Sequence, residues 1–219
     1  MWKPGEIIDF AKDCISYGVE AVSLGGGEPF EYEGIFNVID ALQPITYLSV
    51  TTNGLPLLDS EKWNELMIHA PDKIHITIHR PNDSEEVGRV ISQVRRLAKN
   101  SVIKPGVNLL VSDNLIEECR TTYSKLRSFL KPDQIILVPR RFGNTPSPEQ
   151  LALITDRQPF QCASCLLGCR PPSNFVSISW DKKVNRCSYA LGKQRLKSLT
   201  YQGLLDALSL VQFKSCQRL

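Results

Sequence analysis

The sequence predicts an α/β fold built on a parallel sheet, and three observations carry this prediction. Five short apolar segments alternate with segments of helical periodicity. The apolar segments lack polar alternation, which is typical of parallel strands buried on both faces. Two of them end in glycine-containing turns, and ligands bind at the carboxyl ends of such strands. We expect the strands at residues 21–24, 47–50, 73–78, 106–111 and 134–138.

The helices are predicted from apolar residues that recur every three or four positions. In the first helix, Ile7, Ile8 and Ala11 follow this spacing, and Gly18 suits the end of the helix. Repeated strand–helix units with right-handed crossovers form either an open sheet or a barrel, and the spacing does not separate the two. The predicted helices cover residues 5–17, 32–42, 60–69, 84–100, 115–130 and 199–213.

Composition sets the size and general character of the protein. A chain of 219 residues with 42% hydrophobic and 22% charged residues suits one α/β domain with an appendage. A net charge of +3 argues against nucleic-acid and membrane-surface partners. No apolar run reaches the length of a membrane span, and the first residues do not form a signal peptide. We therefore expect a cytoplasmic protein.

Two turns at the ends of neighbouring strands are the most informative local features. Gly26-Gly27-Glu28-Pro29 follows the first strand, and Thr51-Thr52-Asn53-Gly54 follows the second. A glycine pair lets a ligand approach the backbone closely, and a carboxylate beside it can hold an ammonium group. A plain tight turn with a solvated glutamate is the alternative, and Asn-Gly is itself a common turn signal.

Together and in this order, the two turns resemble motifs of the radical S-adenosylmethionine (SAM) superfamily. The resemblance implies a partial (βα)6 TIM-like barrel over residues 1–142, with SAM bound at its rim. It assigns the SAM ammonium to Gly26, Gly27 and Glu28, with Pro29 fixing the turn. Thr52 and Asn53 would lie beside SAM.

Further SAM-site candidates come from the ends of the later strands. Period-two alternation places His75, Thr77 and His79 on one face of the third strand, where they would line a barrel lumen or face an open edge. His79 lies nearest the mouth of the barrel. Ser112 and Arg140 follow the next two strands, and an arginine there could pair with a carboxylate.

One departure from the family limits what the resemblance implies. Its radical-generating [4Fe–4S] cluster is held by Cys-x3-Cys-x2-Cys upstream of the Gly-Gly-Glu-Pro turn, where this sequence has only Cys14. We therefore expect the barrel to lack its first strand, and the chain to be a truncated or split form of an enzyme. Radical chemistry is not expected from this chain alone.

A cysteine-rich segment follows a proline-rich stretch. Residues 143–160 are interpreted as a linker, and residues 161–219 as a metal-binding extension with a terminal helix. Cys162, Cys165, Cys169 and Cys187 would bind one metal centre, either a [4Fe–4S] cluster or zinc. The segment resembles the auxiliary-cluster extensions of radical SAM enzymes, including a small hairpin over residues 175–187. Cys216 is a further candidate ligand.

Three hypotheses of function remain. The first is a radical SAM enzyme acting on a peptide or small metabolite, with SAM, an auxiliary iron–sulfur cluster and a redox partner. The second is a non-catalytic SAM-binding or partner protein of the same fold. The third is a small iron–sulfur or zinc interaction domain, which would leave residues 26–28 without a purpose.

Overall fold

A curved, six-stranded parallel sheet forms the centre of the molecule. The structure, a computed structural model, describes residues 2–99, 102–163, 169–170, 172–214 and 216. The strands pair in chain order. They are β1 (Ala21–Leu24), β2 (Tyr47–Thr52), β3 (Lys73–Ile78), β4 (Lys104–Val111), β5 (Ile135–Pro139) and β6 (Gln161–Cys162). The sheet curls into a half-barrel, which confirms the predicted α/β partial-barrel class.

One helix precedes β1, and the others join successive strands and cover one face of the sheet. They are α1 (Pro4–Ser16), α2 (Ile35–Leu42), α3 (Ser60–Ile68), α4 (Ser84–Lys99), α5 (Ile116–Arg127) and α6 (Pro148–Ile154). Helix α2 begins three residues later than predicted, because Pro29–Glu31 form a 3₁₀ turn and Gly34 is left-handed, with a φ of 84°. None of the described helices is long and apolar enough to cross a membrane.

The segment 143–160, predicted as a linker because of its prolines, contains helix α6. Pro148 is the first residue of α6, where the missing amide proton costs nothing, and the Ser147 hydroxyl accepts from the amide of Gln150 at 3.2 Å. This helix packs on α5 and leads into β6. The two residues of β6 are too few to show any periodicity.

The two faces of the sheet differ sharply in polarity. The face under the helices is a continuous apolar core, whose fully buried strand residues include Leu48, Val50, Ile74, Ile76, Ile78, Val107 and Leu109. Strand register places the alternate residues together on the opposite face, with Ser23 beside Ser49, Thr51 beside His75, and Thr77 beside Asn108. The inner face of the half-barrel is therefore polar along β1 to β4.

The carboxyl-terminal extension folds on a second, smaller core. An antiparallel sheet joins β7 (Ser177–Ile178), β8 (Lys183–Asn185) and β9 (Gln194–Arg195), and α7 (Tyr201–Ser209) follows. Strands β7 and β8 form the hairpin predicted for residues 175–187. The second core comprises Phe10, Cys14, Val184, Leu196, Leu204, Ala207 and Leu208.

Helix α1 contributes to both cores. Phe10 and Cys14 pack into the second core, while Ile7, Ile8 and Ala11 pack against the first. Polar contacts hold the hairpin on this helix. The Trp2 indole donates to the carbonyl oxygen of Ser179 at 3.2 Å, and the Lys182 ammonium lies 2.8 Å from the Glu6 carboxylate.

Candidate functional site

The Glu28 carboxylate joins the two glycine-containing turns. Its Oε1 accepts from the Thr52 hydroxyl at 2.7 Å and from the amide of Phe30 at 3.1 Å. Its Oε2 accepts from the amide of Asn53 at 2.7 Å. The turns after β1 and β2 therefore meet at one rim of the sheet, and one side chain fixes their separation.

The turn after β2 is held from the other side by helix α4. The Arg89 guanidinium donates to the carbonyl oxygen of Asn53 at 2.9 Å, and the Gln93 amide donates to that of Gly54 at 2.6 Å. Gly54 has a φ of 75°, and a Cβ there would lie 2.5 Å from Gln93 Oε1. The close approach of α4 therefore requires glycine at this position.

These hydrogen bonds leave few free groups on the predicted SAM-binding side chains. Glu28 retains about one unused lone pair, and Thr52 Oγ1 also accepts from the amide of Gly54 at 2.9 Å. Asn53 Oδ1 accepts from the amide of Leu55 at 2.7 Å, which leaves its Nδ2 as the free donor. The principal role of Glu28 and Thr52 in this structure is to shape the rim.

The backbone of the glycine pair remains open. Gly26 and Gly27 are exposed, and a Cβ built on either would meet no atom within 4 Å. Gly26 has a φ of 93°, a conformation that L side chains rarely adopt. The buried Pro29 and Phe30 anchor the end of this turn. A ligand can therefore reach the peptide groups of Gly26 and Gly27 without a side chain in between.

His79 lies just beyond the end of β3 and is bound to α4. Its amide donates to Glu86 Oε1 at 2.7 Å, and its Nδ1 lies 3.5 Å from the same oxygen. Arg80 Nε donates to Glu86 Oε2 at 3.0 Å. The His79 imidazole therefore points toward the first turn of α4, where its predicted contact with SAM would compete with this carboxylate.

Glu86 is buried, with 6% of its surface exposed. Burial alone would raise the pKa of this carboxyl. The hydrogen bonds from the His79 amide and Arg80, together with the charge of Arg80, outweigh it and lower the pKa below its ordinary value. Glu86 is therefore an ionised group that fixes the turn after β3.

Two of the predicted β3 side chains lie on the polar inner face. Thr77 is half-buried beside Asn108. His75 is 9% exposed and lies over Gly106, where a Cβ would fall 2.0 Å from the imidazole Cδ2. Burial and, secondarily, Lys73 lower the pKa of His75 to about 4, so the ring is neutral near pH 7.

Ser112 and Arg140 lie farther along the sheet. The Ser112 hydroxyl donates to the carbonyl oxygen of Asn144 at 3.3 Å and secures the loop after β5. Arg140 is exposed, and its amide donates to the carbonyl oxygen of Val111 at 2.7 Å. Ser112 is thus committed to a loop contact, while the Arg140 side chain remains available to a ligand.

Three cysteines of the extension lie near Tyr189. Burial raises the pKa of this phenol, the Arg141 charge lowers it, and Cys187, Cys216 and Cys162 raise it. Arg141 Nε is buried without a hydrogen-bond partner in the described part of the chain. Cys162 belongs to β6, so one predicted metal ligand lies on the barrel sheet itself.

The predicted four-cysteine site is described only in part. Cys162, Cys169 and Cys187 are half-buried, whereas Cys165 lies outside the described residues. Among the residues that are described, no three His, Cys, Asp or Glu side chains are arranged to hold a metal ion.

Sequence reasoning missed the residues of α4 that hold the rim. Glu86 and Gln93 are buried polar residues on the same helix face as Val87, Val90 and Val94. A glutamate and a glutamine on an otherwise apolar helical stripe are the signal that could have identified them, because polar groups are buried only with partners.

No known family model matches the chain, but proteins of related sequence exist. A GTP 3′,8-cyclase of Clostridium perfringens strain SM101 is 28% identical over 193 residues, covering 79% of this chain and 58% of that protein. A probable GTP 3′,8-cyclase of Methanocella arvoryzae is 39% identical over 49 residues, covering 22% of this chain and 16% of that protein. The chain thus spans less than two thirds of these relatives.

Solved structures share the fold. SuiB of Streptococcus suis bound to S-adenosylmethionine matches 89% of this chain and 56% of its own, with a TM-score of 0.61 at 17% identity. SuiB bound to its precursor peptide SuiA matches 85% of this chain and 53% of the SuiB chain, with a TM-score of 0.63 at 15% sequence identity.

The curled parallel sheet with its paired rim turns matches a partial TIM-like barrel of the radical SAM fold. Together with these relatives, these features confirm the predicted resemblance to the radical SAM superfamily.

Replacing Glu28 by glutamine tests the role of this carboxylate at the rim. The glutamine amide would oppose either the Asn53 amide proton or the donors at Oε1. We expect a loss of about 1–3 kcal/mol in the free energy of unfolding, measured by urea denaturation. Glu31→Gln is the matched control, because Glu31 is exposed in the neighbouring turn. Equal stability of the two variants would show that the Glu28 hydrogen bonds between the two turns do not stabilise the fold.

The lowered pKa of Glu86 predicts a dependence of stability on pH. The stabilisation is complete above the ordinary glutamate pKa and is lost as the pH falls through the lower folded-state pKa. In acid denaturation series, wild type should therefore lose stability below about pH 4.3 more steeply than Glu86→Gln. Parallel pH profiles for the two proteins would show that Glu86 is not preferentially ionised in the folded state.

Proposed function

We propose that this chain is the SAM-binding and cluster-bearing part of a radical SAM enzyme that acts on a peptide or a small metabolite. The observation that carries the proposal is that Glu28 hydrogen-bonds the turns after β1 and β2 to each other at one rim of the sheet. There the open backbone of Gly26 and Gly27 adjoins Glu28, whose carboxylate holds the turn at Asn53.

The rim residues suit the two ends of the amino-acid part of SAM. The exposed carbonyl groups of the glycine turn and the remaining lone pair of Glu28 would accept hydrogen bonds from the ammonium group. The Nδ2 of Asn53 would donate to the carboxylate. Thr77 and Asn108, on the polar inner face, would contact the ribose or the substrate.

The relatives support this proposal in different ways. SuiB has been solved with SAM and with a precursor peptide, which favours a SAM site and a peptide substrate for a chain of the same fold. The cyclases, as their name states, act on GTP, which favours a small metabolite. We therefore keep both substrate classes in the proposal.

The radical-forming step requires a group that this sequence does not encode. When bound, a [4Fe–4S] cluster supplies the electron that cleaves SAM, and its Cys-x3-Cys-x2-Cys motif does not occur in these 219 residues. We propose that the motif is supplied by a further polypeptide segment or a partner. This chain would then contribute the rim, the inner face and the extension.

An auxiliary iron–sulfur cluster in the extension is the second part of the proposal. The donor set suits it in kind, because three cysteines lie near the half-buried phenol of Tyr189, and the buried Arg141 Nε has no hydrogen-bond partner among the described residues. Cys162, Cys165, Cys169 and Cys187 are the proposed ligands, with Cys216 as an additional candidate. Zinc bound by the same thiolates is the alternative.

A non-catalytic SAM-binding protein is the second candidate function. These 219 residues contain no Cys-x3-Cys-x2-Cys motif, which favours this candidate, since the rim and the inner face do not depend on that motif. Electron donation from a redox partner would have no purpose in such a protein.

Substitution of Gly27 by valine tests the SAM site without disturbing the fold. A Cβ at this position meets no protein atom within 4 Å, so the free energy of unfolding should not change. The side chain would occupy the space above the backbone and weaken SAM binding at least tenfold, as measured by isothermal titration calorimetry. Gly5→Val, also in open space, is the control. Unchanged SAM affinity in Gly27→Val would refute the proposed site.

Metal analysis after anaerobic purification tests the auxiliary cluster. We expect iron and acid-labile sulfide, and both should decrease in Cys187→Ala. Cys119→Ala is the control, because Cys119 is buried in the barrel core and burial raises its pKa to about 12. Zinc without sulfide would refute the iron–sulfur cluster and support the zinc site. Iron content that is unchanged in Cys187→Ala would exclude Cys187 as a ligand.

A further inference from the structure

The turn between β7 and β8 projects one large aromatic side chain into solvent. Trp180 is 76% exposed, and no hydrogen bond or ring contact to it is made within the described part of the chain. Tryptophan is enriched among the residues that contribute most to binding interfaces. Trp180 is therefore a candidate contact residue, and the groups around it decide what it would contact.

The residues around Trp180 are held rigidly. The amide of Ser179 donates to the carbonyl oxygen of Lys183 at 2.8 Å, and the amide of Lys182 donates back to that of Ser179 at 3.0 Å. The Asp181 carboxylate accepts from the Ser179 hydroxyl and pairs with the Lys183 ammonium, both at 2.6 Å. Lys182 reaches back to Glu6 on α1. These contacts fix the conformation of the turn, and the Trp180 side chain takes part in none of them.

A small groove runs beside this side chain. Its volume is about 280 Å³, and it is lined by Trp180, Asp181, Lys182, Lys183 and Arg195. Arg195 of β9 lies directly opposite Lys183 of β8, and like charges in this position are unfavourable. Asp181 offsets the charge of Lys183, whereas Arg195 makes no ion pair with any described residue. The groove is large enough for one or two side chains.

The extension as a whole is strongly basic. Residues 161–219 contain nine of the 26 lysines and arginines but two of the 23 acidic residues, a net charge of +7. Residues 1–160 therefore carry −4, since the chain totals +3. The positive charges of the extension that have no acidic partner among the described residues include Arg186, Lys193, Arg195 and Lys197, and Arg195 lines the groove. Such an asymmetry attracts an acidic partner and raises its rate of association.

We propose that the Trp180 groove is a docking site for an acidic peptide segment, with an apolar side chain packed on the indole and carboxylates paired with Arg195 and its basic neighbours. Asp181 favours a peptide over a nucleic acid. Hydrogen bonds from Lys183 and Ser179 lower the pKa of Asp181 to about 2, so its carboxylate is ionised beside the indole. There it can accept a hydrogen bond from a peptide backbone amide, a donor that a sugar–phosphate backbone lacks. This inference does not depend on SAM binding.

Fluorescence anisotropy on the full chain tests the proposal, at about 0.15 M ionic strength. The probe is a fluorescein-labelled peptide that alternates glutamate with leucine, compared with its glutamine counterpart and with labelled polyuridylate. We expect the acidic peptide to bind most tightly. Trp180→Ala and Arg195→Glu should each weaken its binding at least tenfold.

Lys99→Glu is the matched control for Arg195→Glu, because Lys99 is an exposed cation on α4, outside the extension. It should leave the affinity for the acidic peptide within about twofold of wild type, since distant surface charges are screened. Equal weakening by Lys99→Glu, no effect of Trp180→Ala, or tighter binding of polyuridylate would overturn the proposal. The SAM affinity of Trp180→Ala, measured in parallel, should equal that of wild type. Loss of SAM binding in the wild-type chain would refute the proposed function and leave the docking site intact.

Discussion

One carboxylate determines the geometry of the candidate site. Glu28 accepts three hydrogen bonds, from a backbone amide in its own turn and from a hydroxyl and an amide in the turn after β2. Because hydrogen bonds to a charged acceptor are strong and directional, the two turns keep a fixed separation. Arg89 and Gln93 hold the second turn from the helix side, so the open glycine backbone lies on a rigid support.

The rim shows why glycine occurs in two distinct roles within the same site. Gly54 is required by crowding, since Gln93 and Ile76 occupy the space of a side chain. Gly26 and Gly27 instead face empty space. The sequence marks all three positions alike, and only the packing around each separates a structural glycine from one that leaves room for a ligand.

Much of this architecture could be predicted from the sequence, because buried parallel strands are continuous apolar runs and their carboxyl ends meet at one edge. The bounds of β1 and β3 and the pairing of the two turns follow from this rule. Strand β6 escaped prediction since two residues have no periodicity. The partners of Glu28 and the orientation of His79 toward Glu86 also escaped, because they depend on rotamers and on the approach of α4.

Helix α1 has a consequence for how the molecule unfolds. Its residues are divided between the barrel core and the core of the extension, and Lys182 and Trp2 link the hairpin to its amino-terminal turn. Neither core can lose α1 and remain shielded from water. The amide protons of α1, α7 and the barrel sheet should therefore exchange with solvent deuterium in a single cooperative unit, as a foldon that spans both halves of the chain.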